Sequence, residues 1–275
     1  MAQYEYFYKN GNLLRRSDLV RMVVSDVDGT LIYKGSHLNT ARFPVMLKKL
    51  SERNTRFALA TGRHYRELKK LFGDKLSEFD CCCCDGAYCV SNGQVADSLP
   101  LPKTCVKAFF EAFASDSKTA VVFHSFDTSF VLGGGYLTYT KENTRLGNVK
   151  RVYTLSEVDC DIFFVSLYGA GAASFAPPQG ARVSYSAQGI CEYVNRNTSK
   201  YDAVKKLCEK YSIEEKDIMF FGDGINDAEL IEKCGVSYTT YCADKRVFAL
   251  TENHTRDCIG TVIRLCDENK IGNLT

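Results

Sequence analysis

The sequence predicts an α/β fold, a doubly wound parallel sheet interrupted by an inserted α+β module, and three observations carry that expectation. Short apolar runs alternate with stretches of helical periodicity. Acidic, Thr-Gly and Gly-rich segments follow those runs directly, at the place where an open parallel sheet gathers its ligands. Between residues 87 and 189 the alternation gives way to a hairpin signal and several short strands.

The elements follow in order. Tyr4 to Tyr8, Asn10-Gly11 and Leu13-Leu14 read as an aromatic β-hairpin with a tight primed turn. Met22-Val23-Val24 is a continuous apolar run, as expected of a strand buried on both faces, and Asp26-Val27-Asp28-Gly29-Thr30 comes straight after it. Strand alternation sets Asp26 and Asp28 on the same side. Carboxylates that close raise each other's proton affinity unless a cation lies between them, which points to a divalent metal with one acid left to carry a proton. An Asp-Gly turn is the plainer reading. Phe43, Met46, Leu47 and Leu50 then mark a helix, and Arg56 to Ala60 the next strand.

Thr61-Gly62-Arg63 ends that strand, so a hydroxyl and exposed backbone N–H groups face the start of a helix and suit a phosphate, with a Thr-Gly helix cap as the alternative. Arg63 and His64 fit solvated helix surface equally well. Tyr65, Leu68, Leu71 and Phe72 carry the helix, and Phe79 to Cys84 the following strand.

In the inserted region Asn92-Gly93 marks a hairpin, Pro100 and Pro102 lead to a helix near Val106 to Phe113, and Gly133-Gly134-Gly135, without the context of a phosphate loop, reads as a flexible turn. Arg145, Lys150 and Arg151 read as solvated surface, with ligand binding as the other reading. Alternation resumes with strand Ile190 to Val194, helix Ser199 to Tyr211, strand Ile218 to Phe221 and helix Asp227 to Cys234 closed by Gly235. The first domain is thus expected to be discontinuous, 1–86 with 190–275, around an insertion at 87–189. Lys200 stands in the first turn of its helix, where the dipole disfavours a cation, so an anion near its ammonium would explain the placement; exposed surface is the other reading. Gly222-Asp223-Gly224-Ile225-Asn226-Asp227 adds two carboxylates in a loop too short for a calcium site of about 12 residues, and magnesium held together with substrate oxygens fits better.

Composition narrows the partners. The chain has 275 residues, 45% of them hydrophobic, and 35 basic against 33 acidic residues give a formal charge of +2. Nothing in that balance recruits nucleic acid or an anionic membrane, which leaves small molecules. No apolar run nears the roughly 20 residues of a membrane span, and the first twenty residues lack a secretory core, so a cytoplasmic setting is expected. Thirteen cysteines, an odd count at irregular spacing, fit free thiols. Alternation prevents Cys81 to Cys84 from converging on one tetrahedral metal, and His37, His64, His124 and His254 lack ligand spacing, so zinc is not expected.

These four segments, Asp26 to Thr30, Thr61 to Arg63, Lys200 and Gly222 to Asp227, resemble the haloacid dehalogenase superfamily, in particular its Cof-type hydrolases with a Rossmann-like core and an inserted cap domain. Thr251 to Ile259 is similar to that family's last strand and loop, and the resemblance covers nearly all of residues 21–275. It implies Asp26 as the nucleophile that forms an aspartyl-phosphate and Asp28 as the acid that protonates the leaving oxygen and then activates water. It implies Mg²⁺ on the Asp26 carboxylate, the Asp28 carbonyl and Asp223, with Asp227 in support. Thr61, Gly62, Lys200, Asn226 and the Val27 backbone would hold the phosphoryl oxygens. Three departures stand out: Asp85-Gly86-Ala87 where the family usually has Asn-Gly-Ala, Glu229 where Met is frequent, and the first twenty residues. The implied activity is a Mg²⁺-dependent phosphatase for small phosphorylated metabolites, sugar phosphates first. A phosphomutase and an idle phospho-ligand-binding regulator are the alternatives; the Thr-Gly-Arg pattern favours hydrolysis, and the intact acids favour catalysis.

Overall fold

The computed structural model describes residues 6–9, 12–15, 20–34, 36–135, 148–169 and 172–272. The chain folds into two compact units, one of Met1–Thr61, Ser77–Cys82 and Lys200–Thr275, the other of Gly62–Leu76 and Cys83–Ser199. In chain order the elements are β1 (Tyr6–Lys9), β2 (Asn12–Arg15), β3 (Met22–Ser25), α1 (Arg42–Ser51), β4 (Arg56–Ala60), α2 (Tyr65–Phe72), β5 (Asp80–Cys83), β6 (Tyr88–Ser91), β7 (Gln94–Ser98), α3 (Lys103–Phe113), β8 (Ala120–His124) and β9 (Thr128–Leu132). Then come β10 (Asn148–Val152), β11 (Phe164–Tyr168), β12 (Ala181–Ala187), β13 (Ile190–Asn195), α4 (Lys200–Tyr211), β14 (Ile218–Gly222), α5 (Ala228–Lys233), β15 (Val236–Thr240), α6 (Lys245–Phe248), β16 (His254–Thr255) and α7 (Cys258–Asp267).

In the first unit a parallel sheet runs in the order β16-β15-β14-β3-β4-β5, so the fold is α/β as expected. Every residue of β3 and β14 is buried, which is why both read as unbroken apolar runs. Helix α1 packs on α7, and α4 packs on α5 and β4. Phe43, Phe57 and Phe79 meet edge-on with centroids 5.3 to 5.7 Å apart and close one side of the core. Ser25 lies opposite Leu59 on one side and Phe221 on the other. That register brings Asp26, Thr61 and Asp223 out at the same carboxyl edge. The amino-terminal strands β1 and β2 pair antiparallel, Phe7 with Leu14 and Tyr8 with Leu13. Tyr4 and the Asn10-Gly11 turn lie outside the described residues.

The second unit holds a six-stranded sheet, β10-β9-β8-β11-β13-β12. Helix α3 covers it: Phe109 sits 4.9 Å from Tyr193 and 5.5 Å from Phe175, around which Val121, Phe123, Val165 and Leu167 are buried. The strand at Ile190 differs from expectation. It does not return the chain to the parallel sheet but pairs antiparallel with β11 and β12, because Cys191 and Tyr193 belong to this second apolar core. Alternation of the first unit resumes only at Lys200. Helix α2 also counts with the second unit, tied to the β8–β9 turn by bonds from His64 and Arg66.

β12 forms an edge of the second sheet. Its register slips between Val183 and Tyr185, where the Ser184 hydroxyl donates to the Glu192 carbonyl at 3.3 Å. Val183 and Tyr185 are 40% and 52% exposed. The triple glycine forms a short turn whose first and last residues are buried: a Cβ on Gly135 would stand 2.7 Å from the Thr119 carbonyl, so only glycine fits there. Lys150 and Arg151 are exposed on β10, Arg151 bonding the Gly133 carbonyl at 3.0 Å, while Arg145 lies outside the described residues. Cys81 to Cys84 are buried free thiols along and just after β5. Among the described residues no helix is long and apolar enough to cross a membrane.

Candidate active site

The site is built on the turn that follows β3. The strand ends at Ser25, so its alternation does not extend over the acid pair, and the two carboxylates end differently: Asp26 is buried and Asp28 exposed. The Asp26 amide continues the ladder by donating to the Phe221 carbonyl at 2.8 Å, and the Ile32 amide closes the turn on the Val27 carbonyl at 2.8 Å. Within the turn Gly29 has φ +82°, and a Cβ there would stand 2.7 Å from Cγ of Asp223. Glycine is thus required twice over, for its conformation and for the approach of that carboxylate.

Lys200 opens α4 and is buried. Its Nζ donates to Asp26 Oδ1 at 2.6 Å and to Asp227 Oδ1 at 2.8 Å, so the anion anticipated near its ammonium is a pair of protein carboxylates. The other Asp227 oxygen accepts from the Asp223 and Gly224 amides at 3.0 and 2.9 Å, which folds the loop after β14 around it. Thr30 Oγ1 donates to Asp223 Oδ1 at 2.7 Å. Thr61 is buried at the end of β4, its amide bonded to the Cys82 carbonyl at 2.9 Å, whereas Asn226 is exposed on the turn before α5.

Asp26, Asp223 and Asp227 each offer a carboxylate oxygen, all within 4.8 Å of one another. Burial pushes the Asp26 carboxyl up to about 8, with Asp227 and Asp223 adding to the rise and Lys200 opposing it. Burial and Asp227 raise Asp223 as well, against the Thr30 hydrogen bond. One ammonium therefore does not balance these acids, and an all-oxygen set of this size fits a hard divalent cation such as Mg²⁺. The carboxylate of Asp28 is outside that trio.

Residues 23–164 and 171–258 match the sequence pattern of the haloacid dehalogenase-like hydrolases. The chain belongs to this family. It is 25% identical over 250 residues to a Haemophilus influenzae protein named a phosphatase by inference, covering 82% of this chain and 87% of that one. It is 21% identical over 248 residues to the 5-amino-6-(5-phospho-D-ribitylamino)uracil phosphatase of Escherichia coli, covering 84% and 88%. Among solved structures, one described as a subclass IIB sugar phosphatase shares the fold with a TM-score of 0.69, at 16% identity, over 91% of this chain and 100% of that one. Family and relatives together make the chain a phosphatase of the haloacid dehalogenase-like type.

In this hydrolase two site features escaped the sequence reading. Thr30 orients Asp223, and the amide of Asp244 bonds the Asp223 carbonyl at 3.0 Å. Thr30 stands in the first acidic segment and had a signal there; Asp244, far along the chain, had none. His64, for which solvated helix surface was one of two open readings, is 1% exposed. It caps α2 by accepting from the Arg66 amide at 3.0 Å and pairs through Nε2 with the Ser125 carbonyl at 2.9 Å, and burial holds its pKa down to about 3.

Proposed function

We propose that the protein is a Mg²⁺-dependent phosphatase that hydrolyses monoesters of small polyhydroxylated metabolites, sugar phosphates first, through an aspartyl-phosphate on Asp26. The observation that carries this reading is the buried Lys200 ammonium shared between Asp26 and Asp227 beside Asp223, at 2.6 and 2.8 Å. Asp26 attacks phosphorus, and the P–O bond to the leaving group breaks as Asp28 protonates its oxygen; Asp28 then takes a proton from the water that opens the acyl phosphate. The exposed Asp28 carboxyl suits that shuttle. Asp26, the Asp28 carbonyl and Asp223 would hold Mg²⁺, and Asp227 positions both Lys200 and the Asp223 loop. The ion would supply positive charge where two anions must meet.

Thr61, Gly62, Lys200, Asn226 and the Val27 backbone would bind the phosphoryl oxygens and stabilise charge as it spreads over them. The named substrates of the relatives, a ribityl phosphate and sugar phosphates, support a polyol leaving group. Phosphate release from a panel of sugar and polyol phosphates, with Mg²⁺ and with a chelator, tests the proposal. Turnover should need Mg²⁺ and fall roughly 10³-fold or more in Asp26→Asn. No release from any ester, or an active Asp26→Asn protein, would sink it.

A further inference from the structure

A cavity of about 390 Å³ opens between the start of α3 and the segment that joins β10 to β11, and every residue lining it belongs to the second unit. Its inner wall is apolar. Leu101, Val106 and Ile162 are buried members of the core under α3, and Leu155 and Val158 pack against that core while partly exposed. Charge stands at the mouth, with Lys103 in the first turn of α3 and Asp159 and Asp161 on the loop before β11, all three exposed.

The walls are held by bonds that need no ligand. The Leu101 amide donates to the Ile162 carbonyl at 2.7 Å. The turn at Leu155 is closed by Glu157, whose carboxylate accepts from the Tyr153 and Thr154 amides at 2.8 and 2.7 Å and from the Thr154 hydroxyl at 2.9 Å. Those bonds hold its carboxyl below the usual range, so Glu157 stays ionised and serves its own turn rather than Lys103. One turn along α3, Lys107 pairs with Glu111. Among the described residues no ion pair joins Lys103 to Asp159 or Asp161. The first turn of α3 carries no acid, so the positive end of the helix adds to the Lys103 charge.

An apolar wall with a cation and two anions at its mouth complements a molecule that has an apolar body, a carboxylate and an ammonium. We infer that the cavity binds a free α-amino acid with an apolar side chain, aromatic ones first because of its size. The side chain lies against Leu101, Val106 and Ile162, the carboxylate meets Lys103, and the ammonium meets Asp159 and Asp161. A neutral apolar ligand would leave the charges at the mouth unused, and a phosphate ester would face two carboxylates there with one ammonium.

Calorimetry with L-phenylalanine and the full chain tests the inference, together with iodoacetamide labelling of Cys160, an exposed thiol at the cavity, followed by peptide mass spectrometry. Neither readout depends on the phosphatase reading. L-Phenylalanine should bind and slow the labelling of Cys160 several-fold. N-acetyl-L-phenylalanine and L-phenylalaninamide, each lacking one charge, should bind about tenfold more weakly. Lys103→Gln, and Asp159→Asn with Asp161→Asn, should weaken L-phenylalanine by a similar factor; all three positions are exposed, so these variants should fold as the parent does. Absence of both heat and protection with L-phenylalanine, L-tryptophan and L-leucine overturns the inference. So does binding that leaves Cys160 labelling unchanged, or binding that is indifferent to these substitutions and to the loss of either ligand charge.

Discussion

Glu192 on β13 is nearly buried, and desolvation with the charges of Glu67 and Asp85 lifts its carboxyl from 4.5 to about 7, the Ser166 hydroxyl opposing. The folded protein therefore keeps a proton that the unfolded chain has already lost above 4.5. Stability from this group is complete below that pH and drains away as pH rises through about 7, by roughly 3 kcal/mol in total. His64 has the opposite sign: held down to about 3, it costs stability as pH falls below 6.5. Denaturant unfolding of Glu192→Gln against the parent should show the variant gaining about 3 kcal/mol relative to the parent between pH 4.5 and 7.5. A difference that does not change with pH would show that Glu192 does not titrate in that window. Asp26, Lys200 and Asp223 could be picked out from sequence because each follows a recognisable strand or opens a helix. Glu192 could not, since its surroundings come from β11, α2 and the Asp85 turn, which are remote in sequence.

At the level of elements, the turn from Asp26 to Ile32 carries the most consequence per residue. Gly29→Ala would force a left-handed alanine whose Cβ collides with the Asp223 carboxylate. The expected cost is about 1–2 kcal/mol of stability and at least tenfold in Mg²⁺ affinity, read by metal titration of the purified variant. Unchanged metal binding would mean that Asp223 is not held by this turn. The strands β3, β4 and β14 were legible because burial on both faces leaves a continuous apolar run. β13 also reads as a strand, although Glu192 interrupts its apolar residues, and nothing local in it tells an antiparallel partner from a parallel one. The side of α2 that His64 caps was equally hidden, because its partner Ser125 lies 61 residues away.

For the whole molecule, the two-part organisation was legible from the change in periodicity, while the points where the chain passes from one unit to the other were not. They fall at Thr61–Gly62, Leu76–Ser77, Cys82–Cys83 and Ser199–Lys200, set by long-range contacts that no local pattern encodes. The slipped register of β12 matters for the protein in company with its own copies. Without the slip this edge, on which Val183 and Tyr185 are exposed, would present a flat row of amides and carbonyls ready to recruit an identical strand. The extra residue at Ser184 twists that row and ties its hydroxyl back to Glu192. Removing Ser184 should therefore produce a protein that scatters light and leaves solution on concentration, as measured by sedimentation, so that one inserted serine acts as a guard against self-association.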